Sequence, residues 1–117
     1  MREMKFRCWD SDNNRWMDEE RNAIRAVFTL ENKTYLKWTQ WTGLKDKNGV
    51  EIYEGDLLKA YYPNHCGYFK GKVVWENELS LYGMTGKLFF VELYKLDEMK
   101  IIGNIYENPD LVDKESM

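Results

Sequence analysis

Lys45-Asp46-Lys47-Asn48-Gly49-Val50-Glu51-Ile52 carries its own instruction to reverse direction. Asn48-Gly49 is the preferred central pair of a type I′ turn, in which both central residues need positive φ, so the segment predicts a tight hairpin. A second reversal at Glu54-Gly55-Asp56 launches residues 57–62, which end in the loop Pro63-Asn64-His65-Cys66-Gly67. Beyond it, residues 70–75, 78–82 and 87–93 read as strands, separated by Glu76-Asn77 and by Gly83-Met84-Thr85-Gly86. Residues 101–105 supply a closing strand, and Trp75, inside the apolar run Val73-Val74-Trp75, is expected in the core.

Short strands at this spacing indicate a small barrel or a sandwich. The turn at Glu54-Gly55-Asp56, a bend over Gly71 and the compact meander favour an SH3-like β-barrel from about residue 53 to 105. Upstream, Met4-Lys5-Phe6-Arg7-Cys8-Trp9 alternates, with Met4, Phe6 and Cys8 on one face, as a half-buried strand does. The turn Asp10-Ser11-Asp12-Asn13-Asn14 stops it, and Arg15-Trp16-Met17 pairs back. Residues 18–30 are ambiguous: the β-branched and aromatic end favours a strand joined by Glu31-Asn32-Lys33 to the alternating residues 34–41, and a short helix starting near Glu19 is the alternative. In the tail, Asp110-Leu111-Val112 after Pro109 reads as one helical turn.

At 117 residues, with 44% hydrophobic and 32% charged residues, the chain suits one globular domain and neither a membrane protein nor a disordered one. No run approaches a spanning length and the first residues lack a secretory core, so a cytoplasmic location is expected, with Cys8 and Cys66 as free thiols. The net charge of −3 makes nucleic acid an unlikely partner. Its distribution is uneven: residues 1–41 hold eight basic and seven acidic residues and every arginine, while residues 42–117 hold nine basic and thirteen acidic ones. Arginine is favoured where bidentate pairing or stacking on aromatics is needed, so this bias marks either an interface or ordinary surface use.

The inventory of chemistry is short. Asp10, Asp12 and Asn14 mimic the start of a calcium loop, but Arg15 stands where the glycine must be and Arg21 where the bidentate glutamate must be, which leaves a polar turn. His65 is the one histidine, and its side chain diverges from that of Cys66 on an extended backbone. Two cysteines without C-x-x-C spacing do not make a zinc site, and no phosphate-cradling glycine motif or nucleophile elbow occurs. Glu54 and Asp56 flank a glycine turn, where solvation gives no reason for a shifted pKa. No catalytic residue, cofactor or metal is assigned, and the chain is not expected to be an enzyme.

Three blocks stand out: Met1-Arg2 with Lys5-Phe6-Arg7-Cys8-Trp9-Asp10, then residues 40–56 (QWTGLKDKNGVEIYEGD), and last Ile102-Gly103-Asn104-Ile105-Tyr106-Glu107-Asn108-Pro109. In order and over nearly the whole chain, they resemble the signature blocks of the YopX family. Cys8 sits where that family often has alanine and Trp41 where it often has tyrosine, both keeping an apolar or aromatic side chain. The resemblance implies a protein of bacteriophages and prophages, which places that cytoplasm in a bacterial host cell, with no known activity. It implies an N-terminal α+β oligomerisation subdomain, here residues 1–41, followed by a C-terminal SH3-like barrel with a short tail, residues 42–117, in a mostly β chain that is α+β overall. It also implies a large homo-oligomer.

Eighteen aromatics in a chain this small, five of them tryptophan, line a core, an interface or a nucleic-acid platform. Tryptophan and arginine are favoured interface anchors, so Arg7, Trp9, Trp16, Arg25, Trp38 and Trp41 are the candidate interface. The expected function is therefore a non-enzymatic binding or scaffold module that partners itself and a host or phage protein. Two alternatives stand beside it: a nucleic-acid-binding module using Tyr61, Tyr62, Tyr68 and Phe69 near Lys59, Lys70 and Lys72, and an enzyme with a composite site between subunits.

Overall fold

A computed structural model describes residues 4–17 and 36–114, and these form a mostly β structure of two antiparallel sheets. The strands are β1 (Phe6–Asp10), β2 (Arg15–Trp16), β3 (Leu36–Lys45), β4 (Glu51–Tyr53), β5 (Asp56–Tyr62), β6 (Gly67–Glu76), β7 (Leu81–Thr85), β8 (Phe90–Glu92) and β9 (Asp97–Asn104). A short helix α1 (Pro109–Lys114) follows. The first sheet has the order β2-β1-β3-β4, and the second the order β8-β7-β6-β5-β9. The boundary drawn at residues 41/42 falls inside β3, which runs unbroken from Leu36 to Lys45. The ambiguous segment 18–30 and its hairpin at 31–33 lie outside the described residues, as does Arg25.

The hairpin between β3 and β4 forms where the sequence places it but by a different turn. Gly49 has φ +83° while Asn48 has no positive φ, and the Gly49 amide donates to the Asp46 carbonyl. This is a turn over Lys47-Asn48 closed by a left-handed glycine, the three-residue arrangement rather than type I′. The reason is Asp46: its Oδ1 accepts the amides of Asn48 and Val50, holding the first half of the turn right-handed, and its Oδ2 accepts the amide of Ile101 in β9. The Asp10 carboxylate does similar work at the β1–β2 turn, where Oδ1 accepts the amides of Asp12 and Asn13.

The core of the second sheet comprises Leu58, Ala60, Val73, Met84, Val91, Leu93 and Leu96, and Ile52 enters it from the first sheet. Three expectations are corrected here. Trp75 is 42% exposed: it shares the strand face of Val73 but lies beyond the end of the core, its ring edge-on to Tyr82 at 4.8 Å. Gly83 is not in a turn; it lies within β7, where the Phe90 ring covers it and a side chain would collide with that ring, and the β7–β8 reversal falls instead over residues 86–89, closed by the Gly86 amide donating to the Phe89 carbonyl. Asp56 is buried, at 1% exposure, so the turn it terminates is not the solvated one its neighbours Glu54 and Gly55 suggested.

Candidate functional site

The two sheets are joined where Arg7 meets Asp56. Arg7 lies on the face of β1 turned toward the second sheet, and its Nη2 donates to Asp56 Oδ1. The guanidinium is sandwiched between the rings of Trp16, at 4.3 Å, and Tyr53, at 4.6 Å. The other Asp56 oxygen accepts the Tyr53 amide at 2.8 Å. Burial pushes the Asp56 carboxyl above its ordinary value, against the opposing pull of Arg7 and of the Tyr53 amide. Both oxygens are therefore held in the join between sheets.

A second layer closes over it. Trp9 stacks on Tyr106 at 5.9 Å, Trp16 meets both rings edge-on, and the Trp16 indole N–H donates to Glu107 Oε1 at 2.7 Å. Glu107 also accepts from Asn104 Nδ2, and these two bonds hold its carboxyl below the ordinary range. Asn104 Oδ1 accepts the amides of Tyr106 and Glu107, fixing the turn that brings both under the tryptophans. Burial pushes the half-buried Tyr106 phenol up.

The expected interface residues thus divide between two faces. The register pairs Phe6 with Gln40, Cys8 with Trp38 and Trp9 with Trp16, so alternation sets Arg7, Trp9, Trp16 and Trp41 on the side of the second sheet and Trp38 on the other. Trp9 is buried within the chain, and Trp41 donates its indole N–H to the Leu44 carbonyl under the Lys5 ammonium. On the opposite face Trp38 is half-buried beside Phe6, 45% exposed, and Met4, 64% exposed. Tyr53, Asn104, Tyr106 and Glu107 were not singled out from the sequence, and Asp56 was weighed there only as a carboxylate of a solvated turn. The signal was present: Arg7 belongs to the first signature block, Tyr53 and Asp56 to the second, and the other three to the third.

Among the described residues, concave sites lie on or beside the second sheet. One, of about 300 Å³, is lined by Tyr62, His65, Phe69, Phe89, Phe90 and Val91. His65 lies against the Tyr62 ring at 4.9 Å, and the exposed Cys66 turns its Sγ toward the Pro63 carbonyl, while Cys8 is buried in the first sheet. Another, of about 550 Å³, is a groove on the outer face, where Lys47, Lys59, Lys70 and Lys100 converge with Tyr68 and Glu98. Of the lysines named from the sequence, Lys59 and Lys70 line this groove and Lys72 does not, whereas Lys47 and Lys100 were not foreseen. Among the described residues no cluster of three metal-ligating side chains occurs, and no helix is long and apolar enough to cross a membrane.

No match is found among the curated proteins. Among solved structures, the crystal structure of protein EF1440 from Enterococcus faecalis is similar, with a TM-score of 0.64 and 26% sequence identity over 96% of this chain and 99% of that one. A family model described as YopX protein matches residues 5–113, which takes in all the elements of the Arg7–Asp56 join. The chain belongs to the YopX family.

Proposed function

We propose that this chain is a phage-associated binding module that assembles with copies of itself and works without catalysis. The observation that carries this reading is the division of the N-terminal aromatics. Arg7, Trp9 and Trp16 are occupied in joining the sheets, whereas Met4, Phe6 and Trp38 gather on the far face of β1 and β3. Cys8 and Leu36 on the same face are buried, so it is the exposed end with Met4 and Phe6, next to the half-buried Trp38, that offers the apolar surface usual in an interface core. Residues 1–41 supply this contact and residues 42–117 the display surface, with β3 shared between them. The second sheet, bent over Gly71 and by the irregular β5–β9 register, is read as an SH3-like barrel.

Asp56, which among the described residues is the carboxylate that burial leaves above its ordinary value, supports the non-catalytic reading, because Arg7 and the Tyr53 amide each hold one of its oxygens. The test is the solution mass of variants. Phe6→Glu and Trp38→Ala are expected to shift the protein toward monomer, a well-packed tryptophan anchor being worth about 2 kcal/mol or more. A wild-type oligomer unchanged by both substitutions overturns the placement of the contact.

A further inference from the structure

The geometry points to the outer face of β6, β5 and β9 as a binding site for single-stranded nucleic acid, its phosphates on a row of lysines and a base on Tyr68. Strand register makes the row: Lys59 pairs directly with Lys70 on one side and with Lys100 on the other. Adjacent strands lie ~4.8 Å apart, so three ammonium stems start within roughly 10 Å of one another. Like charges directly opposite one another destabilise a sheet, and here two such pairs share Lys59. Lys47, from the β3–β4 turn, adds a fourth cation to the same groove, against the single carboxylate of Glu98. Asp97, opposite Tyr61 on the same face, adds a second carboxylate nearby, so the groove carries four lysines against two acidic neighbours on a chain whose net charge is −3.

Tyr68 supplies the second component. It is 54% exposed, its ring is edge-on to Tyr61 at 5.2 Å, and the Lys59 ammonium lies 5.4 Å from its centroid. Its hydroxyl donates to Glu98 Oε2 at 2.6 Å. Glu98 lies where the β5–β9 register slips and has φ +50°, a left-handed conformation that is unfavourable for glutamate and belongs to a bulge. The bulge aims the Glu98 carboxylate at Tyr68, and this bond fixes the ring beside the lysine row. An anchored aromatic next to a basic groove is the arrangement that holds a single strand: the backbone follows the charge and a base stacks on the ring, with little regard for sequence. A duplex offers no unstacked base to Tyr68, and an acidic peptide has no use for its face.

The inference rests on the reading that the chain acts by binding but not on its self-assembly, and the Phe6→Glu protein separates the two by retaining affinity if it becomes monomeric. The experiment is fluorescence anisotropy of a labelled oligothymidine of about 16 nucleotides with the full chain at about 50 mM salt. Binding in the micromolar range is expected, with log affinity falling against log salt at a slope of about −2 to −3, as three or four phosphate contacts give. Lys59→Glu and Lys100→Gln each weaken it, the first about tenfold or more. Tyr68→Ala weakens it about tenfold, whereas Tyr68→Phe, which loses the Glu98 bond and keeps the ring, stays within about threefold. Lys87→Glu, in the β7–β8 connection, leaves it unchanged. Absence of binding at about 100 μM protein, an equal loss in Lys87→Glu, or equal affinity for polyglutamate would each overturn the proposal.

Discussion

Arg7→Met tests the join between the sheets. Methionine keeps the length of the stem and removes the charge, leaving the Asp56 carboxyl, with a side chain 2% exposed, facing no cation. Breaking a buried pair from one side costs about 3–5 kcal/mol, and since the Arg7 side chain is 20% exposed the lower end applies. Loss of the guanidinium from between Trp16 and Tyr53 adds about 1 kcal/mol. The total, about 4 kcal/mol, is a large part of the ~5–15 kcal/mol that holds a domain folded. At an m-value of about 2 kcal/mol per molar, the urea midpoint falls by roughly 2 M. Trp9 and Trp16 lie at the join, so their fluorescence reports the transition. The pairwise part comes from a double-mutant cycle with Asp56→Leu: the double variant, with no orphaned charge, is expected to be less destabilised than the two single losses combined by about 2 kcal/mol. A coupling below about 0.5 kcal/mol refutes the claim that this ion pair holds the sheets together.

The remaining predictions concern the core, the hairpin and pH. In Gly71→Ala the new Cβ would lie 2.6 Å from Met84 Cγ and 2.8 Å from the Thr85 carbonyl oxygen, so β6 and β7 must part, with an expected loss of about 1–3 kcal/mol in thermal or urea unfolding. Asp46→Ala strands the amides of Asn48, Val50 and Ile101 and is expected to cost about 2 kcal/mol, with β9 amides exchanging faster; unchanged exchange there would contradict the role given to Asp46. Burial raises the Asp46 carboxyl, but its three amide donors outweigh this and leave it below the ordinary 3.8, so its contribution is present above that pH and is lost as pH falls further. Asp56 has the opposite sign: its carboxyl is raised above 3.8, so its contribution is full below that pH and is lost as pH rises through the folded value. Urea midpoints of Asp46→Asn and Asp56→Asn from pH 3 to 7 are therefore expected to diverge from the wild type in opposite directions.

The turns and strands were legible because their residues act locally. Asn48-Gly49 and Asp10 through Asn14 announce reversals by their own conformational preferences and side-chain bonds, and the structure places reversals at both. Misreadings came where a neighbour distant in sequence decides. Gly83 looks like a turn residue until the Phe90 ring of the next strand is seen to occupy the space of its missing side chain. Trp75 has the correct strand parity for the core, and nothing in the sequence shows that the core ends before it. The Arg7–Asp56 pair spans a separation of 49 residues, which no spacing rule reaches, although both residues stand in signature blocks. The lysine row was legible only in part: Lys59 and Lys70 were named beside Tyr68, but only the pairing of β5 with both neighbours sets Lys59 between Lys70 and Lys100.

Sedimentation velocity of the unmodified full chain at tens of micromolar is the most direct test of the proposal that it works as a self-assembling binding module. The chain mass is 14.1 kDa, and the account predicts a principal species at a whole multiple of that value, two or more, that Phe6→Glu moves toward one. A single species at 14.1 kDa across that range would contradict it.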